Sequence, residues 1–329
     1  MNPFEYQKVD SAKGAVEAIA HFGDAKFLGG GTNLLDLMKN GVERPNRLVD
    51  ISRLPLDKIE ETPDGGLRLG ALARNTDTAD HPLVRERYPL LSQAILAGAS
   101  QQLRNMATNG GNLLQRTRCY YFTDVGFAKC NKRTPGSGCG ALGGFNRIHA
   151  ILGASDSCIA THPSDMCVAL SALQATVRVL GPNGERKISM SNFHRLPGEM
   201  PQMDTNLHAD ELIVSIDLPH SPYASHSHYL KIRDRASYAF ALVSAAVALD
   251  LDGDRIRSAR IALGGVAHKP WRSEEAENLL SGQQLNVHAF RRAAERCVFG
   301  AKSYEYNAFK IELAKQTIVR ALSQAGGQA

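Results

Sequence analysis

The sequence predicts an α+β protein in two parts, and three observations lead there. A strand–glycine–helix join opens the first half, where Lys26-Phe27-Leu28 runs into Gly29-Gly30-Gly31-Thr32-Asn33. Composition shifts after the hairpin turn Gly181-Pro182-Asn183-Gly184-Glu185. Beyond that turn, strands come in series and helices follow as a block. That order belongs to an antiparallel α+β layer, not to alternating βαβ units. The division is placed at 185, giving parts 1–185 and 186–329.

In chain order, residues 12–22 place Ala15, Ile19 and Phe22 at helical spacing. After the first glycines, Leu34, Leu35, Leu37 and Met38 mark a short helix. Glycines let a backbone approach closely, and amides at a helix start face an anion. No lysine follows as a P-loop requires. Gly29-x-Gly31-x-x ends on Leu34 and so lacks the third glycine of a dinucleotide fingerprint, although Asp50 stands near the ribose position. A structural turn and a phosphate site both stay open. Arg47–Ile51 and Leu67–Leu72 read as strands around the turn at 63–66, and residues 82–98 as one helix ending at Gly98. A second polar glycine loop runs from Arg104 to Asn112. Two such loops can clamp a diphosphate from both sides. Strands follow at 175–180, 212–216, 228–232, 243–251 and 256–263, then helices at 273–280, 289–299 and 309–322.

Four of the six cysteines fall in an insert at about 115–160, spaced Cys119-x10-Cys130-x8-Cys139-x18-Cys158. The spacing matches no zinc ribbon and no ferredoxin run. Four thiolates nevertheless complete an iron–sulfur cubane or a structural zinc site, and His149 and His162 keep zinc open. A stretch this long without periodicity needs a staple. His162-Pro163-Ser164-Asp165 leads into a helix at 166–173, which Ser164 or Asp165 can cap. Cys167 and Cys297 lie in apolar runs and read as buried core thiols.

Composition excludes several classes. At 329 residues with 43% apolar and 22% charged residues, the chain is of ordinary globular make-up. Its charge of +5 is spread out, so no nucleic-acid partner is expected. The apolar run at 239–249 is too short to span a bilayer, and the N-terminus carries no export signal. A soluble chain without membrane association is expected, and its cysteines point to metal or redox chemistry.

The segments Phe27–Leu34, Arg104–Leu113, Pro163-Ser164-Asp165-Met166 and Lys231-Ile232-Arg233-Asp234-Arg235 resemble the medium, FAD-binding subunit of xanthine oxidase-type molybdenum hydroxylases, across essentially the whole chain. The cysteine insert departs from the basic family pattern and resembles variants with an additional [4Fe–4S] cluster. Arg118-Cys119-Tyr120-Tyr121-Phe122, Cys130-Asn131-Lys132-Arg133 and Pro135-Gly136-Ser137-Gly138-Cys139 look most like bacterial aldehyde oxidoreductases. Subunits of 4-hydroxybenzoyl-CoA reductase and xanthine dehydrogenase type are the alternatives within the family.

The resemblance implies a two-part FAD-binding domain of the PCMH, or vanillyl-alcohol-oxidase-like, kind over 1–185. A smaller α+β domain of the CO dehydrogenase flavoprotein type would occupy 186–329. Lys26, Phe27, Leu28, Gly29, Gly30, Gly31, Thr32, Asn33 and Leu34 would wrap the FAD diphosphate. Thr108, Gly110, Gly111 and Asn112 would close over it. Ser164 and Asp165 would hold the flavin's polar chain, and Lys231 would approach the ring. Cys119, Cys130, Cys139 and Cys158 would ligate the cluster.

The chain has no Cys-x4-Cys-x2-Cys run and no molybdopterin-binding segment. The resemblance therefore assigns substrate oxidation to a large molybdenum-cofactor subunit and a small [2Fe–2S] subunit, with no catalytic residue here. Electrons would pass through FAD to an external acceptor. A partner's export signal would make the complex periplasmic; without one it would be cytoplasmic. Two readings outside this scheme are a self-contained flavin oxidoreductase with structural zinc, and a binding module for another phosphorylated ligand.

Overall fold

A computed structural model describes residues 1–20 and 22–327. The chain opens with β1 (Glu5–Lys8), α1 (Ala12–Ala20), β2 (Ala25–Leu28), α2 (Leu34–Lys39) and β3 (Arg47–Asp50). Strands β1 and β2 both pair in parallel with β3. Leu48, Val49 and Asp50 are buried in succession, as befits a central parallel strand. Helix α1 turns Ala15, Val16 and Ile19 inward and ends at Ala20. Phe22 therefore leaves the expected buried face and lies 3.5 Å beneath the Arg47 guanidinium. His21, within the expected helix, lies outside the described residues.

Next come β4 (Ile59–Glu61) and β5 (Leu67–Gly70), which flank the turn at 63–66. The turn's first strand is thus β4, not the 47–51 segment. Helices α3 (Asn75–Asp80), α4 (Pro82–Arg87), α5 (Pro89–Ala97), α6 (Gln101–Arg104), α7 (Asn109–Leu113), α8 (Tyr120–Thr123) and α9 (Asp165–Ala172) follow. The single helix expected over 82–98 is broken at Tyr88, whose φ of −134° and ψ of 51° reflect the proline after it. The expected polar loop at 104–112 includes the start of α7, capped by Thr108.

Strands β6 (Thr176–Gly181) and β7 (Gly184–Ser189), helix α10 (Met190–Phe193) and strand β8 (Leu212–Leu218) complete an antiparallel sheet ordered β4-β5-β8-β6-β7. This corrects the division expected at 185. That cut falls inside the β6–β7 hairpin, and β8 lies beyond it yet pairs with both β5 and β6. The last sheet, ordered β12-β11-β10-β9, uses β9 (Ser227–Ile232), β10 (Val243–Asp252), β11 (Arg255–Gly264) and β12 (Trp271–Arg272). Helices α11 (Glu274–Leu280), α12 (Val287–Cys297) and α13 (Phe309–Ala325) bury their apolar faces on it.

Helix α9 joins the two larger sheets, and every one of its residues is buried. Its Met166 and Val168 share a core with Val177 of β6 and Ala246 of β10. At Gly264 a Cβ would sit 2.6 Å from Val168, so β11 approaches the helix only because that side chain is missing. The N-terminus of α9 is thereby held against β9, where the candidate site lies.

Candidate cofactor sites

The first glycine loop lies directly against the segment before α7. A Cβ on Gly30 would fall 1.9 Å from the Met106 carbonyl oxygen, and one on Gly29 would fall 3.3 Å from Thr108 Oγ1. Gly31 has φ of +73°, a conformation that favours glycine. The amides of Gly30, Gly31 and Thr32 donate to no group among the described residues. Asn33 Nδ2 is buried and unpaired, while its Oδ1 accepts from the Arg116 amide at 3.1 Å. Beside the junction is a cleft of about 440 Å3 reached by Gly29, Arg53, Arg74 and Thr108. The free amides and the orphaned Asn33 amide group suit a phosphorylated ligand, while the cleft's two arginines share its lining with Asp57 and Asp77. Phe27 and Leu28 sit half-buried beneath the loop, Leu34 begins α2, and Lys26 stands exposed on β2.

The second segment contributes differently from the expectation. Its amides are used internally: Asn109 donates to Ala73 O, Gly110 to Ala71 O, Gly111 to Thr108 Oγ1 and Asn112 to Thr108 O. Residues 109–112 therefore offer side chains and shape rather than free N–H donors. Asn112 accepts from Ser164 Oγ at 2.5 Å and donates to Asn75 Oδ1 at 2.7 Å. Asn75 in turn donates to Asn109, which bonds Thr78. Asn75 and Thr78 went unread in the sequence, and Asn109 was read only as part of the glycine loop. Nothing local marks them, because their partners come from separate helices.

Ser164 caps α9 by accepting from the Cys167 amide at 3.0 Å. Asp165 is gripped by two groups of β9: Tyr229 OH donates to Oδ1 at 2.6 Å and Lys231 Nζ to Oδ2 at 2.8 Å. Lys231 also donates to Ala97 O at 3.0 Å. The Lys231 and Asp165 side chains are only 4% and 8% exposed. Burial and the neighbouring Asp165 charge hold the Tyr229 hydroxyl protonated far above its ordinary range. Lys231 thus enters the site as half of an ion pair, not as a bare cation.

All four insert cysteines line one cavity, together with Lys132 and His149. They are free thiols. Cys130 and Cys139 face each other across a two-residue bridge, closed by Asn131 N to Gly138 O and Gly140 N to Lys129 O. The Asn131 side chain reaches Ser157 O at 3.0 Å, bringing in the Cys158 segment. Arg133 donates to the carbonyls of Tyr121 and Phe122, fixing α8 behind Cys119. His149 Nε2 stands 3.1 Å from Cys119 Sγ, and His268 Nε2 stands 3.9 Å from Cys158 Sγ. Burial pushes the Cys119 thiol up to about 12 and the Cys158 thiol up to about 11, the latter in spite of Lys132.

A zinc ion holding four thiolates at ~2.3 Å would keep their sulfurs about 3.8 Å apart. Among the described residues, the sole group of three or more such ligands within 4.8 Å of one another is His162, Cys167 and His194. No three of the insert sulfurs lie within 4.8 Å of one another. The insert's cations are largely spoken for: Arg116 and Lys132 bond Asp204, Arg116 also bonds Glu43, and Arg147 bonds Asp234. Burial lowers His149 and His194 to about 4 and His268 to about 3, so these rings stay neutral. Cys167 and Cys297 are buried as expected, but Cys167 has two histidines beside it.

The glycine loop with free amides, the buried polar network and the four-thiol cavity define a nucleotide-binding redox protein. Residues 2–221 match the FAD binding domain in molybdopterin dehydrogenase, and residues 228–325 match the CO dehydrogenase flavoprotein C-terminal domain. The chain belongs to this family of FAD-binding oxidoreductase subunits. It is 51% identical, over 100% of both chains, to the FAD-binding subunit of an aldehyde oxidoreductase from Escherichia coli strain K12. It is 28% identical to the glyceraldehyde dehydrogenase medium chain of Sulfolobus acidocaldarius, over 86% of this chain and 83% of that one. Carbon monoxide dehydrogenase from Hydrogenophaga pseudoflava superposes with a TM-score of 0.78 at 27% identity, covering 100% and 99% of the two chains. The junction between the two matched domains falls after β8, in agreement with the sheet topology. No helix among the described residues is long and apolar enough to cross a membrane.

Proposed function

We propose that this chain is the electron-transfer subunit of a molybdenum-dependent aldehyde oxidoreductase, holding FAD and a [4Fe–4S] cluster. The observation that carries the reading is the 51% identity over the full length of an aldehyde oxidoreductase subunit. A large molybdenum-cofactor subunit and a small [2Fe–2S] subunit would deliver electrons, and an external acceptor would remove them. FAD supplies the conversion between paired and single electrons when bound. The chain's own residues supply its seat. Amides at Gly30–Thr32 would take the diphosphate. Thr108 and Asn112 would shape the opposite wall, and the Asp165–Lys231 pair would set the polarity of the flavin-side wall. Cys119, Cys130, Cys139 and Cys158 would hold the cluster; their shared cavity and their spacing beyond single-ion distances support iron–sulfur over zinc.

A visible spectrum and metal analysis of the purified chain test this. Flavin bands with a broad iron–sulfur shoulder and roughly four irons per chain are expected. Flavin bands with zinc would establish the rival oxidoreductase, and no chromophore a different ligand altogether. Cys139→Ser should lower iron while FAD stays in place; full iron retention in that variant would sink the cluster assignment.

A further inference from the structure

We propose that His162, Cys167 and His194 form a second, buried metal site, built for one soft monovalent ion of the Cu(I) class. The three ligand atoms lie within 4.8 Å of one another. A trigonal ion with bonds of about 2.0–2.3 Å spaces its ligands ~3.7 Å apart, so small side-chain rotations close the site. One ring nitrogen of each histidine is already uncommitted. His162 Nε2 and His194 Nδ1 are both buried without a hydrogen-bond partner. A buried nitrogen without a partner is costly to fold, and here two of them lie beside one thiol.

The second nitrogen of His194 explains which atom is free. Its Nε2 lies 2.8 Å from the Leu113 carbonyl oxygen, an acceptor only, so Nε2 carries the proton and Nδ1 is a bare lone pair. A carbonyl behind an imidazole is also how metal-binding histidines are oriented. The two rings lie tilted by 48° at 4.1 Å between centroids, which leaves no room for a side chain between them.

Charge selects the ion. Cys167 is fully buried, and the acids around the group are already paired, Asp165 with Lys231 and Asp204 with Lys132 and Arg116. One thiolate and two neutral imidazoles cancel a single positive charge. A divalent ion would leave one charge uncompensated in the core, at heavy cost. Thiolate with imidazole at low coordination number also favours Cu(I). On binding, the S–H bond breaks, the sulfur–metal bond forms, and the proton leaves to solvent; no electron moves. The ligands come from three segments: the irregular exit of the cysteine insert, the first turn of α9, and the residue after α10. The ion would therefore tie the N-terminus of α9, with Ser164 and Asp165, to the insert.

The whole purified chain, with iron and flavin counted first, is dialysed without oxygen against Cu(I) buffered by a competing chelator. One copper per chain is expected with iron and flavin unchanged. X-ray absorption should then show one sulfur and two nitrogens around copper. Cys167→Ser should weaken retention at least ~100-fold while iron and FAD persist. No retained copper, copper retained equally by Cys167→Ser, copper gained only as iron is lost, or an all-sulfur copper environment would each overturn the site. Should the variant not fold, the absorption spectrum of the unaltered chain decides the matter alone.

Discussion

At Gly30 one missing carbon decides whether two loops can meet. A methyl group there would overlap the Met106 carbonyl at 1.9 Å, and backbone cannot swing away as a flexible side chain could. Gly30→Ala should push the loops apart at a cost of about 1–3 kcal/mol, weakening FAD roughly 10–100-fold. Fluorescence titration of flavin-free protein measures this; unchanged affinity would remove Gly30 from the diphosphate seat. Asp165 and Lys231 pose the reverse problem, a buried charge that must not lose its partner. Lys231→Met leaves the Asp165 carboxylate with Tyr229 alone and should destabilise the chain by ~3–5 kcal/mol. The double variant Asp165→Asn/Lys231→Met should recover much of that loss. Urea midpoints that fall equally for single and double variants would show that the pair has no such role.

Among elements, the insert is the most dependent on polar ties. Helix α8 is a single turn, too short to persist alone. Its carbonyls at Tyr121 and Phe122 are met by Arg133, so the Cys119 and Cys130 segments hold one another. With the proposed cluster in the insert, Arg133→Ala should strand those carbonyls, expose 124–129 to proteolysis and reduce bound iron several-fold, with FAD retained. Loss of FAD in parallel with iron would mean that loop and flavin seat unfold together. Helix α7 shows the opposite economy. Thr108 and neighbouring carbonyls satisfy every amide from 109 to 112, so its glycines serve close packing, as where a Gly110 Cβ would meet Ala71 at 3.2 Å.

Across the whole molecule, buried neutral histidines couple stability to pH. His149, His194 and His268 are held at about 4, 4 and 3, against 6.5 in an unfolded chain, chiefly by burial. Below pH 6.5 the unfolded chain takes up protons that the folded chain refuses, so stability falls with pH. The contribution is intact above 6.5 and declines until the folded rings protonate near 4. Each ring adds a slope of about 1.4 kcal/mol per pH unit in that window. Urea midpoints should therefore drop steeply between pH 6.5 and 5, and flatten in proportion when His268 is replaced by Gln. A midpoint level across that range would contradict the assignment.

Much of this protein could be read from the chain because its signals are local. Hydrophobic spacing marked α1, α9 and the strands of the last sheet, and Gly29–Thr32 announced a strand-to-helix turn whose amides face outward. The four cysteines could be singled out as candidate ligands by residue type alone. What only the tertiary structure decided depends on partners distant in sequence. The strand Leu212–Leu218 pairs with β5 and β6, so the first domain runs past the turn where composition shifts. Asp165 and Lys231 cancel each other across 66 residues. His162, Cys167 and His194 converge from three segments that carry no shared motif. Backbone preference acts over a few residues, whereas charge pairing, ligand convergence and strand order are settled by packing; that is why the elements were legible and their associations were not.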